Sequence, residues 1–191
     1  STLKSICGIA AGATTANLSQ QRLGAVDVRI VALELRFNRA LTALDVSGND
    51  IGDDGKIAMG DVLLSSSTSK LQFLTCDEWS INTSTSSLDL CSKRLNAADA
   101  KLLAGVIKFN RSLISASLGR NDIGDEGAVQ LAQFLSVAPS LEALELSKSR
   151  IGPTGAMAFA TVLPSCQAMI RLGLEENLEF GAEARAALCA A

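Results

Sequence analysis

Two hydrophobic rhythms alternate along the chain. The phrases Leu41-x-x-Leu44-x-Val46, Leu113-x-x-Ala116-x-Leu118 and Leu141-x-x-Leu144-x-Leu146 end in strict apolar/outward alternation, the pattern of a half-buried strand. Each gives way to apolar residues at helical spacing, as in Val129, Ala132 and Leu135, or Leu102, Leu103, Val106 and Ile107. The spacing predicts helices over about 26–36, 55–64, 98–108, 126–135, 155–163 and 181–189. Asn38 and Asn110, each following a Phe at a helix end, are expected in the left-handed conformation that stops a helix.

The joint between the two rhythms recurs. Asn49-Asp50-Ile51-Gly52-Asp53-Asp54-Gly55 returns as Asn121-Asp122-Ile123-Gly124-Asp125-Glu126-Gly127, and in degraded form as Ser149-Arg150-Ile151-Gly152-Pro153-Thr154-Gly155. Its glycines supply unusual dihedrals, and its acids sit well at a helix start. The strand phrases beginning at 113, 141 and 169 are spaced by 28 and 28 residues. A period in that range specifies a stack of strand-plus-helix units, a solenoid in which each unit touches only its neighbours.

A longer duplication overlies the short one. Residues 16–55 shifted by 72 fall on 88–127 with 16 identities in 40, including Arg22-Leu23 on Arg94-Leu95, Asp27 on Asp99 and Phe37-Asn38-Arg39 on Phe109-Asn110-Arg111. The chain therefore divides into a super-unit over 1–70, its copy over 71–140 and two further repeats over 141–191, together one domain. One interval breaks the period: only 14 residues separate Leu71 from the next equivalent start at Thr85, with Asn82-Thr83-Ser84-Thr85-Ser86-Ser87 where a helix belongs. That stretch reads as a truncated repeat without a helix, residues 82–87 forming a loop. Residues 3–18, whose Leu3-Lys4-Ser5-Ile6-Cys7 matches the segment at Leu71, read the same way.

Composition narrows the function. Hydrophobic content of 48% is ample for a continuous core, while 4% aromatics and no Tyr suit thin coils filled by Leu, Ile, Val and Ala. A net charge of −3 argues against binding nucleic acid or an anionic membrane, and no apolar run is long enough to span one. Five cysteines without a C-x-x-C pair, Cys76 inward and Cys91 outward on neighbouring strands, point to free thiols in a reducing, intracellular compartment. The absence of His removes His-based catalysis and H-E-x-x-H metal sites, and neither glycine phrase is a phosphate loop or a dinucleotide fingerprint. The acids at 50–54 and 122–126 lack the calcium-loop spacing and read as helix-start acids. No catalytic residue, metal or cofactor is assigned, and the chain reads as a non-enzyme.

These phrases resemble the ribonuclease-inhibitor-like class of leucine-rich repeat proteins, whose repeat is L-x-x-L-x-L-x-x-N-x-I-G-D-E-G-A followed by a helix. The likeness is most specific at Leu113–Leu135 and strong at Leu41–Leu64 and Leu141–Leu163. It implies an α/β solenoid with a concave parallel sheet, convex helices, and protein binding through the strands and the loops after them. It also implies that Asn49, Asn121 and Asn177 are structural, satisfying backbone groups of the turn and of the neighbouring repeat. Gln21, Trp79, Lys93 and Ser149 replace that Asn elsewhere; Trp79, the sole Trp, is expected to be buried over the core left bare by the missing helix, and Lys93 to mark a turned-out loop. The class includes regulators of GTPases and nucleases, and on that likeness Arg39, Arg111 and Arg120 are candidate contacts to such a partner.

In the strand phrase the middle residue points to the concave face. This gives Asn17, Asp45, Thr75, Asp89, Ser117, Glu145 and Gly173, with Asp77, Arg171 and Glu175 at flanking outward positions. The strands are expected to form one parallel sheet in chain order, with Leu44, Leu74, Leu88, Leu144 and Leu172 buried. Asp45, Asp89 and Glu145 would then share a face with no basic residue between them, suited to a basic or polar protein partner. The apolar stretch Ala182–Ala191 ends without a polar capping repeat, as expected of part of a longer chain or of an assembly component docked at an open end. A protein-binding module is the first reading, a scaffold subunit of a large assembly or cytoskeletal complex the second, and a GTPase or nuclease regulator a distant third.

Overall fold

The computed structural model describes residues 9–10, 12–66 and 70–191. Strands β1 (Thr15–Asn17), β2 (Ala43–Asp45), β3 (Phe73–Thr75), β4 (Ser80–Asn82), β5 (Ser87–Asp89), β6 (Ser115–Ser117), β7 (Ala143–Glu145) and β8 (Arg171–Gly173) form one layer. Helices α1 (Ala25–Phe37), α2 (Gly52–Ser65), α3 (Ala97–Ile107), α4 (Gly124–Leu135), α5 (Pro153–Val162) and α6 (Gly181–Ala190) form the other. Except after β3 and β4, each strand leaves through a tight turn and a helix returns behind it, so both layers contribute inward apolar side chains to a shared core. The six helices lie within three residues of the limits expected from apolar spacing. Those following the Asn-Asp-Ile-Gly phrase start earlier than expected, at Gly52 and Gly124, both at positive φ.

The sheet corrects the expectation of a single parallel array. β1, β2 and β3 run parallel, but β3 pairs antiparallel with β4, Leu74 opposite Ile81. The ladder then stops, and β5 to β8 make a second, wholly parallel four-stranded sheet. The physical reason is the short interval. With no helix to carry the chain back across the second layer, residues 76–79 reverse it in place, and a reversed strand pairs antiparallel. Residues 83–86 follow as a turn in which Asn82 Oδ1 accepts from the Ser84 amide and hydroxyl. Asn110, at the exit of α3, stitches this hairpin to the second half by donating to the carbonyls of Asn82 and Thr85, both at 2.9 Å. Of the other helix-less repeat, expected over 3–18, residues 3–8 and 11 lie outside the described residues, Cys7 among them, and β1 lies in the rest.

Two further expectations are corrected. Asn38 is not left-handed; its backbone is extended at φ −78°, and its side chain does the stopping by accepting from the amides of Ala40 and Leu41. Asn110 accepts likewise from Ser112 and Leu113, and neither Asn has positive φ. Leu44, Leu74, Leu88 and Leu144 are buried, whereas Leu172, on the edge strand β8, is half-buried.

Behind the interrupted sheet the helices close up. A Cβ on Gly105 of α3 would lie 2.9 Å from Leu63 Cβ and 3.2 Å from the Gly60 carbonyl oxygen of α2, so the two helices pass at a distance only glycine allows. Lys56 of α2 meets Asp99 of α3 at 2.7 Å and Glu78 of the β3–β4 turn at 3.4 Å, tying both helices to the hairpin.

Candidate protein interface

The asparagine ladder holds successive repeats in register. Asn121 Oδ1 accepts from the amides of Lys93 and Leu95, and its Nδ2 donates to the carbonyls of Leu90 and Leu118, four bonds between 2.7 and 3.1 Å. Asn49 does the same for Gln21, Leu23, Leu18 and Val46, and Asn177 for Ser149, Ile151, Leu146 and Leu174. Where Ser149 replaces Asn, its buried hydroxyl keeps one rung by donating to the Leu118 carbonyl at 3.2 Å. Where Trp79 replaces it, the rung is gone: the indole is 5% exposed, with its Nε1 buried and unpartnered. Lys93 is exposed in its turn.

With the backbone so fixed, the outward strand positions form rows. Asn17, Asp45 and Thr75 are in register on the first sheet, and Asp89, Ser117, Glu145 and Gly173 on the second. Beside the latter runs Ser87, Ser115, Ala143 and Arg171. These two rows, Gly173 excepted, line a shallow groove of about 340 Å³ across β5 to β8. Asp45 thus lies on a different sheet from Asp89 and Glu145, across the break at β4. Arg171 is also interleaved, 3.4 Å from Glu145 Oε2. The expectation of three carboxylates on one uninterrupted acidic face is corrected on both counts.

The acids are also committed to local structure. Asp45 Oδ1 accepts from the Ser47 amide at 2.9 Å and its hydroxyl at 2.6 Å, Asp89 from the Cys91 amide at 3.1 Å, and Glu145 from the Ser147 amide at 2.8 Å. Each carboxylate thereby shapes the turn that follows its strand. Glu145 folds flat over Gly173, where any Cβ would collide with its carboxylate. The flanking acids reach across repeats: Asp77 accepts from the Gly48 amide, and Glu175 from the Ser147 hydroxyl at 2.6 Å. That hydroxyl bond holds the Glu175 carboxyl below its ordinary range, with its own backbone amide next in effect. What remains open is a polar surface of small side chains between these carboxylates.

Arg39 and Arg111 sit exposed at the entrances to β2 and β6, whereas Arg120 sits beyond the exit of β6. They do not converge. Among the described residues no group of acids and cysteines is arranged to hold a metal, and no helix is long and apolar enough to cross a membrane. Sequence reading missed the Lys56–Asp99–Glu78 cluster. Its signal was a lysine at the fifth residue of α2 where the other copies of the phrase carry Ala128 and Ala156.

A family model described as Leucine Rich repeat matches residues 32–60, 109–132 and 137–160. The chain is 32% identical over 169 residues to the ribonuclease inhibitor of Sus scrofa, covering 88% of this chain and 34% of that protein. It is 30% identical over 114 residues to tropomodulin-4 of Bos taurus, covering 59% of this chain and 33% of that one. It therefore spans about a third of each. The solved tropomodulin C-terminal domain of Caenorhabditis elegans covers 96% of this chain and 84% of its own, at a TM-score of 0.44 and 12% identity. The repeat phrase, the asparagine ladder it builds, the matching family model and the likeness to the ribonuclease inhibitor make this chain a leucine-rich repeat protein of the ribonuclease-inhibitor-like class.

Proposed function

We propose that the chain is a non-enzymatic, intracellular protein-binding module that receives its partner on the concave sheet and the turns after it. The contact set is Asp45, Thr75, Asp77, Asp89, Ser117, Glu145, Arg171 and Glu175. One observation carries this reading: the groove over β5 to β8 is floored by the small side chains of Ser87, Ser115, Ser117 and Ala143. Small side chains there cost the fold nothing and admit a partner close to the sheet. Around it stand Asp89, Glu145 with Arg171, and Glu175, which favour a polar or basic protein surface with matching donors. The super-unit over 1–70, its copy over 71–140 and the repeats over 141–191 act here as one scaffold presenting that surface.

Site-specific photo-crosslinking tests the assignment. A crosslinking side chain at Ser117 is expected to capture one dominant protein from an extract, with capture suppressed by Ser115→Trp, which fills the groove without touching the core. Capture from Thr161 on the opposite layer, with none from Ser117, overturns it. A second reading, a scaffold subunit of an assembly or cytoskeletal complex, is favoured by two exposed apolar side chains flanking β8, Ile170 at 81% and Leu178 at 56%. It predicts self-association or end-on docking relieved by Ile170→Asp. The nuclease-regulator reading rests on the ribonuclease inhibitor's name alone, and a nuclease-inhibition assay decides it.

A further inference from the structure

The turns after the strands hold residues at two places in the left-handed backbone that suits glycine. Asn49, Asn121 and Asn177 each accept, at one Oδ1, from two amides that flank a single residue. The flanked residue is left-handed, and in each of these turns it is an arginine: Arg22 at φ 58°, Arg94 at 59° and Arg150 at 59°. At the head of the turn Ser92, Arg120 and Lys148 are left-handed as well, at φ 59°, 57° and 56°. Their amides carry the ladder one rung beyond the strands, donating to the carbonyls of Gly119, Ser147 and Glu175.

Backbone geometry does not ask for a cation at either place. The 72-residue duplication sets Arg120 on Gly48, which takes the same conformation at φ 67°, and Lys93 on Gln21. The two halves nevertheless differ in sign. The turns after β1 to β3 carry Arg22 against Asp50, Asp77 and Glu78. Those after β5 to β7 carry Lys93, Arg94, Arg120, Lys148 and Arg150 against Asp122, and these cations are all exposed. Arg150 meets Asp122 at 3.1 Å and Lys148 meets Glu176 at 3.0 Å, in exposed pairs that water screens. Among the described residues Lys93, Arg94 and Arg120 have no acid within ion-pair distance. Neighbouring turns follow their strands at about 4.8 Å. The cations therefore form a short ridge along the rim of the sheet, on interior repeats between the β3–β4 hairpin and β8.

We infer that this ridge receives an acidic segment of the partner protein, laid across the turns after β5, β6 and β7. This rests on the concave sheet being the partner's seat, and it specifies the charge pattern that the partner shows there. On the sheet side of the ridge stand the carboxylates of Asp89, Glu145 and Glu175. A nucleic acid lays phosphates on both rows and is repelled by the second, in a chain whose net charge is already −3. A protein surface can be acidic where it meets the turns and basic where it meets the sheet, the complement of both rows.

A fluorescein-labelled oligoglutamate tests the ridge, titrated with the 191-residue chain and read by anisotropy. Saturable binding below about 1 mM is expected at low salt. It disappears near 1 M salt, where the screening length falls to about 3 Å. Arg94→Gly combined with Arg120→Gly weakens binding at least about five-fold, the size of one good exposed ion pair. The same variant melts as the parent does, because glycine suits both backbones. Arg22→Gly, an equal change of backbone and charge away from the ridge, leaves binding unchanged. So does Ser115→Trp, which fills the groove and reads failure of the ridge apart from failure of the groove. No saturation overturns the inference, as does equal or tighter binding of an oligothymidylate. So do a loss of binding on Ser115→Trp, an equal loss on Arg22→Gly, or a clearly lower melting temperature in the double glycine variant, which would make the arginines structural.

Discussion

The Lys56 ammonium and the Asp99 carboxylate meet at 2.7 Å with 12% and 3% of their side chains exposed, one on α2 and the other on α3. A pair so enclosed recovers the cost of leaving water only while both partners are present. Asp99→Ala strands a charge and is expected to cost about 3–5 kcal/mol, whereas Lys56→Met with Asp99→Leu returns most of that stability. Urea unfolding of the single and double variants measures both.

The same pair makes stability depend on alkaline pH. Burial alone depresses the Lys56 pKa, but its hydrogen bond to Asp99 and the charges of Asp99 and Glu78 outweigh that, holding it above the ordinary lysine value. A raised folded pKa contributes stability that is complete below the unfolded pKa of about 10.4 and is lost as pH rises through the folded value. Melting temperature should therefore fall above about pH 10, and more steeply in the parent chain than in the Met/Leu double variant. Equal slopes would show that the pair does not set the alkaline limb.

Trp79 fills the asparagine slot with volume and gives no hydrogen bond in return. Trp79→Ala should cost about 3–5 kcal/mol, as for other large core deletions. Trp79→Phe should cost less than half of that, since the buried Nε1 has no partner to lose. Chemical denaturation of the two variants separates packing from hydrogen bonding at this site.

Asn121 and Asn177 make the same four bonds, yet Asn121 is 6% exposed and Asn177 only half-buried near the last strand. Water can replace part of the ladder at 177 and none at 121. Asn121→Ala is expected to cost at least about 2 kcal/mol and Asn177→Ala clearly less, because each stranded buried group costs about 1–3 kcal/mol. Hydrogen exchange at the Leu95 and Ile151 amides, which these side chains cap, should accelerate in the matching variant only.

Among the described thiols, Cys76 is buried and Cys189 exposed, and burial pushes the Cys76 thiol far above its ordinary pKa. Iodoacetamide at neutral pH should label Cys189 readily and Cys76 only after unfolding. Mass-spectrometric mapping reads the order, and prompt labelling of Cys76 in the folded chain would move it out of the core.

Much of this was legible in the residues because a repeat announces itself locally. Leu44, Ala116 and Leu144 face inward by alternation, the Asn-x-Ile-Gly phrase marks each turn, and Trp79 stands in a slot with no helix behind it. Strand direction was not legible: Ser80–Asn82 is three residues long, and alternation over so short a run is the same whichever way the chain passes. Nor was the cost of the acids. Asp45, Asp89 and Glu145 read as free surface charge, whereas each bends back onto an amide two residues later, a choice made by turn geometry. The stop at Asn38 was likewise placed correctly and explained by the wrong atoms, because side-chain capping and a left-handed backbone favour the same residue type. Periodicity along one chain specifies which face of an element turns inward. Which faces find a neighbour, as α3 finds α2 through Gly60 and Gly105 while Val26, Leu33 and Phe37 of α1 stay open, depends on how the repeats stack in space, and only the tertiary structure decides that.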